Sequence, residues 1–231
     1  MSELEMHNEL DRWFTLEMLD ETTYVISEYM HREKTHCYLL IGENKALLID
    51  TGLGVANIKE VVDGITLLPI MVVTTHVHWD HIGSHRFFEE IAVHELEKEW
   101  LTGEFPLPLS VIKQNLLNGN CEFPKGFCIE DYEVFNGVPQ QILHDRDEID
   151  LGNRRVEVIH TPGHTAGSIS ILVDDALFSG DTIFKGTHGR TDMPTGSFTD
   201  ILASLKKLME LPDNTIVYPG HDKSTMIGEE R

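Results

Sequence analysis

The chain has 231 residues, 41% of them hydrophobic, which suits one domain with a sizeable core. Lysine and arginine number 18 against 39 aspartate and glutamate, a formal net charge of −21. A field of that sign argues against binding to nucleic acid and against docking on anionic membranes.

No apolar run approaches the roughly 18 residues that mark a membrane span. The opening MSELEMHNELDRW lacks the basic and apolar regions of a secretory signal. The three cysteines, Cys37, Cys121 and Cys128, give no disulfide framework. A cytoplasmic location is the expectation, a matured secreted chain the alternative.

The first half reads as strands. Residues 22–27 (TTYVIS) and 37–40 (CYLL) are apolar and rich in β-formers, and 45–50 (KALLID) follow a turn-like Gly-Glu-Asn, so a hairpin is predicted. Residues 56–62 have helical spacing. The run 69–75 (PIMVVTT) is continuously apolar and of strand length, the pattern of a strand buried on both faces. Short helices are predicted at 84–90 and 95–101, flanking Ile91-Ala92-Val93.

Residues 102–140 are broken by Pro106, Pro108, Pro124 and Pro139. They read as a lid or loop insertion around one short helix near 111–117, within a single domain spanning 1–231. In the second half, 154–160 alternate as a strand. Residues 168–173 and 176–178 form a second hairpin, 197–211 carry the apolar stripe of an amphipathic helix, and 215–218 a last strand. This order predicts two sheets face to face with helices outside.

Four sites share one grammar, in which an apolar strand ends and a His or Asp follows at once, usually beside Gly. They are TTHVHWDH, HTPGHTAGS, LFSGDTIF and VYPGHD. Rigid strand ends can gather distant residues on one rim. Imidazole and carboxylate are zinc ligands at about 2.0–2.2 Å, and one catalytic zinc takes three or four of them. Here seven candidates stand at strand ends: His76, His78, Asp80, His81, His164, Asp181 and His221. Two metals sharing a bridging carboxylate use all of them. We assign His76, His78 and His164 to one ion, Asp80, His81 and His221 to the other, and Asp181 to the bridge. Two zinc ions are expected, with iron or manganese as alternatives. His7, His31, His36, His85, His94, His144 and His160 are read as ordinary surface or core histidines. Trp79 is read as packing, and Gly163 and Gly180 as residues that let the backbone turn tightly beside ligands.

Taken together, these motifs resemble those of the metallo-β-lactamase-fold superfamily, from about Tyr24 to His221. The resemblance implies an α/β fold, an αββα sandwich of two mixed sheets flanked by helices, with a dinuclear site at one rim. It places Asp50, in LIDTG, behind the metal ligands as a support. Within the superfamily, GDTIFKGTHGRTD and PGHD look most like glyoxalase II-type hydroxyacylglutathione hydrolases and their small relatives. Secreted di-zinc β-lactamases carry a cysteine where Asp181 stands, flavodiiron reductases a glutamate where His78 stands, and RNA-processing members a basic character this chain lacks. The chain departs from glyoxalase II in ending shortly after His221, without the helical glutathione-binding domain. It also departs in having His188 in place of a cysteine, and Asp192 and Lys223 in place of aromatics. Arg190 keeps a basic residue where that family holds the glutathione glycine carboxylate. Arg190, His188 and Lys223 are therefore the candidate substrate contacts.

The expected chemistry is metal-assisted hydrolysis of a small-molecule thioester or ester, with a metal-bound hydroxide as nucleophile and Asp80 as both ligand and proton acceptor. A lactone substrate is the nearest alternative. A persulfide dioxygenase with one iron, which shares the GRTD of residues 189–192, is a different class, and a non-catalytic binding module a third. Oligomeric state is not legible.

Overall fold

The computed structural model describes residues 13–231 apart from 104 and 120, so the predicted placement of His7 lies outside the described residues. The first sheet has seven strands in sequence order: β1 (Thr15–Asp20), β2 (Thr23–Ser27), β3 (His36–Ile41), β4 (Ala46–Ile49), β5 (Ile70–Val73), β6 (Glu90–His94) and β7 (Gln141–Leu143). Strands β1 to β4 run antiparallel, and β4 to β7 are parallel. The second sheet contains β8 (Glu148–Asp150), β9 (Arg155–His160), β10 (Ile169–Val173), β11 (Ala176–Gly180), β14 (Ile216–Pro219) and β15 (Thr225–Met226), with β11 parallel to β14. A two-stranded ribbon, β12 (Ile183–Phe184) and β13 (Thr187–His188), lies between β11 and the last helix in sequence.

Alternation along the strands builds the layers. In β4 and β5, Leu47, Ile49, Met71 and Val73 point into the core between the sheets, where they join Val156, Val158, Ile169, Ile171 and Phe178 of the second sheet. Their neighbours Leu48 and Val72 face the opposite way, onto Ile58 and Val62 of helix α1 (Ile58–Ile65). Burial on both faces is what a parallel strand with a continuous apolar run requires. On the far side of the second sheet, Leu177 and Val217 pack against Leu208 of helix α4 (Phe198–Leu208). The result is the mixed-sheet αββα sandwich expected from the sequence. No helix among the described residues is long and apolar enough to cross a membrane.

Several predicted elements shift. The helix expected at 84–90 is a single 3₁₀ turn, His85–Phe87. The buried His85 ring is bonded by Thr51 Oγ1 at 2.7 Å and Thr74 Oγ1 at 2.8 Å, and the chain enters β6 at Glu90. These anchors fix the segment by side-chain bonds and leave too few residues for a helix. At 95–101 a 3₁₀ turn leads into helix α2 (Lys98–Leu101). The 102–140 segment holds helix α3 (Leu109–Leu117) and a 3₁₀ turn at Ile129–Asp131. Strand β1 has no counterpart in the sequence reading. Its side chains are mostly exposed, so period-two burial never marks it, and it is held by pairing with β2.

Candidate metal centre

Parallel neighbours end on the same rim. Thus β4 delivers Asp50, and β5 delivers the turn holding His76 to His81. In the second sheet β11 delivers Asp181 and β14 delivers His221, while the turn after β9 carries His164. Three cross-links register the sheets at this rim. Ile169 N–H donates to Thr75 O at 2.9 Å, His36 N–H to Gly220 O at 2.8 Å, and Tyr38 O–H to Pro219 O at 2.6 Å.

All seven predicted donors converge there. They form three groups whose donor atoms lie within 4.8 Å of one another: His76/His78/His164, His76/His81/Asp181 and Asp80/His81/His221. Rings of His76, His78 and His164 sit at mutual centroid separations of 4.7 Å. Asp181 lies between the outer groups, with Oδ2 3.6 Å from His164 Nε2 and 3.5 Å from His221 Nε2, and Oδ1 3.5 Å from His81 Nε2.

The outward-facing nitrogens fix the orientation of the rings. His81 Nδ1–H donates to Asp50 Oδ2 at 2.8 Å, His164 Nδ1–H to Arg190 O at 2.8 Å, and His221 Nδ1–H to Glu33 O at 2.7 Å. In each case Nε2 is left facing the cluster. His76 Nδ1 lies 3.1 Å from Thr75 Oγ1, which itself donates to Asp50 Oδ2 at 2.7 Å. His78 turns Nδ1 toward His164 Nε2 at 2.9 Å. Asp50, at φ 60°, spends its carboxylate on Thr75 and His81 and stands behind the donor atoms.

The electrostatics are those of a cation site. His76 Nε2, His78 Nε2 and Asp181 Oδ1 are buried without a hydrogen-bond partner, a costly state for polar atoms unless something else fills the space between them. Burial, together with the neighbouring His81 and His164, pushes His76 well below the ordinary imidazole range. Burial and His164 push His78 down to about 3. Both therefore keep free lone pairs. Burial raises the carboxyl of Asp80, but the hydrogen bond from His221 and the charge of His81 outweigh it and leave it at about 2. Burial likewise opposes ionisation of Asp181, yet His221 and His81 hold it well below the usual carboxylate range. Burial is outweighed by carboxylates at the two partner rings: Asp181 and Asp50 raise His81 to about 9, and Asp181 and Asp80 raise His221 well above the ordinary imidazole range. A bound cation would displace these protons, and two carboxylates among five imidazoles then make a donor set matched to divalent cations.

A cleft of about 440 Å³ opens over the cluster, lined by His78, Asp80, His164, Asp181 and His221, with Arg32 and Arg190 among its other walls. Arg190 also forms a two-pronged pair with Asp192, at 2.7 and 2.8 Å. Trp79 is buried, packs edge-on against His31 at 6.3 Å, and shows one edge to the cleft. Two predicted substrate contacts are not in this cleft. His188 lines a separate hollow with Leu205 and Met209, its ring 6.0 Å from that of Phe198, because the β12–β13 ribbon turns it toward α4. Lys223 is exposed and is not among the residues lining the cleft, since the chain turns outward at Asp222, φ 64°.

Two glycines are dictated by close approach. At Gly163, φ 138°, a Cβ would strike the backbone of Ile201 in α4, and at Gly220 it would crowd Asp181 Oδ1 and His81 Cε1.

One residue that holds the candidate site together has no signal in the sequence. Glu97, at the start of α2, is buried and accepts from Val77 N–H at 2.7 Å through Oε2 and from Gly167 N–H at 3.0 Å through Oε1. Val77 lies between His76 and His78, and Gly167 lies three residues past His164. One carboxylate thus holds both loops of the first donor group. In sequence, ELEKEW reads as an ordinary acidic helix turn, and backbone acceptance leaves no motif.

Known proteins share this architecture. An acyl-coenzyme A thioesterase, MBLAC2, of Gallus gallus is 31% identical over 239 residues, covering 95% of this chain and 83% of its own. The crystal structure of BLEG-1, a B3 metallo-beta-lactamase, superposes with a TM-score of 0.67 at 28% identity, covering 87% of this chain and 93% of that one. TTHA1623, solved in a di-iron-bound form, superposes with a TM-score of 0.64 at 25% identity, covering 86% and 93%. The sequence profile of the metallo-beta-lactamase superfamily matches residues 32–221, which include β3 to β14 and every donor described above, and the chain belongs to that superfamily.

Proposed function

We propose that this chain is a dinuclear metal-dependent hydrolase of small-molecule thioesters or esters. The observation that carries the reading is the overlap of the three donor groups: His76 and His81 are each shared by two of them, and Asp181 sits within 3.6 Å of imidazoles on both sides. His76, His78 and His164 would hold one ion, Asp80, His81 and His221 the other, with Asp181 between them. Bound divalent ions would supply Lewis-acid polarisation of the scissile carbonyl and lower the pKa of a water to about 7.

The chain's own groups do the rest. Asp80 lines the cleft and would serve as a ligand that also takes up the proton of the attacking water. Asp50 keeps His81 oriented with Nε2 toward the site. Arg32 and Arg190 are the basic residues of the cleft wall, each paired with an acid, Glu33 and Asp192, and would offer guanidinium contacts to an anionic leaving group. The thioester class is favoured by the thioesterase relative in Gallus gallus and by the glyoxalase II-like motifs that retain Arg190. Zinc is favoured by the imidazole-rich donor set, and the di-iron form of TTHA1623 keeps iron as the alternative.

Metal analysis of the purified chain, followed by a panel of thioesters, lactones and phosphodiesters, tests this. About two ions per chain and thioester turnover are expected. One ferrous ion with oxygen consumption would overturn the reading in favour of dioxygenase chemistry. Asp181→Ala should lose at least one ion and reduce turnover by more than the roughly 100-fold typical of outer-shell changes, while far-ultraviolet circular dichroism stays unchanged. Wild-type turnover in that variant would defeat the bridging assignment.

A further inference from the structure

Beside the metal cleft lies a second cavity, of about 430 Å³, whose wall includes Trp100, Phe105, Leu107, Leu109, Ile112 and Phe135. Two observations join it to the donors. Leu107 lines both the cavity and the cleft. The Trp100 ring stacks on His78, with centroids 6.4 Å apart and planes 17° from parallel. Polarity also divides the two. Among the described residues, the cavity wall carries one charged side chain, the exposed Glu133, whereas the cleft carries Arg32, Glu33, Asp80, Asp181, Arg190 and Asp222. An amphiphile is therefore oriented with its polar head at the cleft and its tail in the cavity.

We infer that this cavity is the acyl-chain subsite of the enzyme, and that its substrates carry an unbranched apolar acyl group of medium length. The inference rests on the hydrolase reading above for the identity of the head group. The scissile carbonyl then lies over the donors, the leaving group toward Arg32 and Arg190, and the acyl chain passes Leu107 into the space under α3. Apolar burial of each methylene favours longer chains until the cavity is filled.

Two measurements on the full chain decide it. The first is photolabelling with a decanoate that carries a terminal diazirine, mapped by mass spectrometry. Labels within residues 100–112 and 133–136, competed by unmodified decanoate, are expected whether or not metal is bound. Labels concentrated elsewhere would overturn the inference. The second compares kcat/KM for acetyl and octanoyl thioesters of one leaving group. The octanoyl ester should be favoured by at least about ten-fold. Leu109→Glu, at a site exposed enough to accept a charge without unfolding, should cut that ratio by about five-fold or more. A flat chain-length series sinks the subsite. Should no ester turn over, the hydrolase reading fails, and the labelling pattern still decides whether the cavity takes an acyl chain.

Discussion

Glu97 shows how much of a candidate metal site can lie outside its donor residues. Burial pushes its carboxyl up, against the hydrogen bonds from Val77, Thr165 and Gly167. Glu97→Gln keeps one acceptor and loses the other, so one ligand loop is released. We expect a 10- to 100-fold weaker hold on one of two ions, roughly the cost of outer-shell changes, measured by competition with a chromogenic chelator. Loss of both ions together would mean that Glu97 supports the fold as a whole. The opposite case is His188. Its ring faces α4, so His188→Ala should leave metal content at the wild-type value by atomic emission, and metal loss there would show that the β12–β13 ribbon supports the donors. At this scale, convergence of the seven donors was legible because each follows a strand end beside turn residues. The orientation of His188 was not, because adjacency to Asp181 does not fix which way a ribbon turns its side chains.

Elements place these residues through their ends. The N-cap and second turn of α4 seat the His164 loop: Ser197 N–H donates to Gly163 O at 2.8 Å, and Ser204 Oγ donates to Pro162 O at 2.7 Å. Gly163→Ala would set a methyl against the α4 backbone in a left-handed conformation, so destabilisation above about 2 kcal/mol is expected. Gly64, in α1, is the control, because a Cβ there meets nothing within 4 Å. Gly64→Ala should add about 0.5–1 kcal/mol by restricting the unfolded chain and restoring helix propensity. Urea titrations of the two variants test both, and equal effects would refute the packing argument. The long apolar strands and α4 were readable because their periodicity is set by burial. The exposed β1, the three-residue strands β7 and β8, and the 3₁₀ turn at His85–Phe87 were not, because pairing partners and side-chain anchors distant in sequence decide them.

For the whole molecule, a buried acid that is not one of the donors sets a pH dependence. Glu28 is fully buried and accepts from Trp13 Nε1–H and Leu53 N–H, each at 2.7 Å. Burial outweighs these bonds and raises its pKa to about 7 from 4.5. Between those values the folded chain holds a proton that the unfolded chain has released. Stability therefore falls as pH rises from about 4.5 to about 7 and levels off above, by on the order of 3 kcal/mol from this group. Glu28→Gln removes the term. Relative to this variant, the wild type should lose stability between pH 5 and pH 8 in denaturant unfolding, and a constant gap would refute the assignment.

Each donor group takes two members from the loop after β5 in the first sheet and one from a loop of the second. Neither half of the chain can present a complete triad alone. Ion capture therefore has to wait until the two sheets have docked, and an ion once held acts as a rivet across the sandwich. Uptake of a chromophoric divalent cation during refolding would then time the last assembly event, and removing the ion would loosen the seam between the layers before either layer melts.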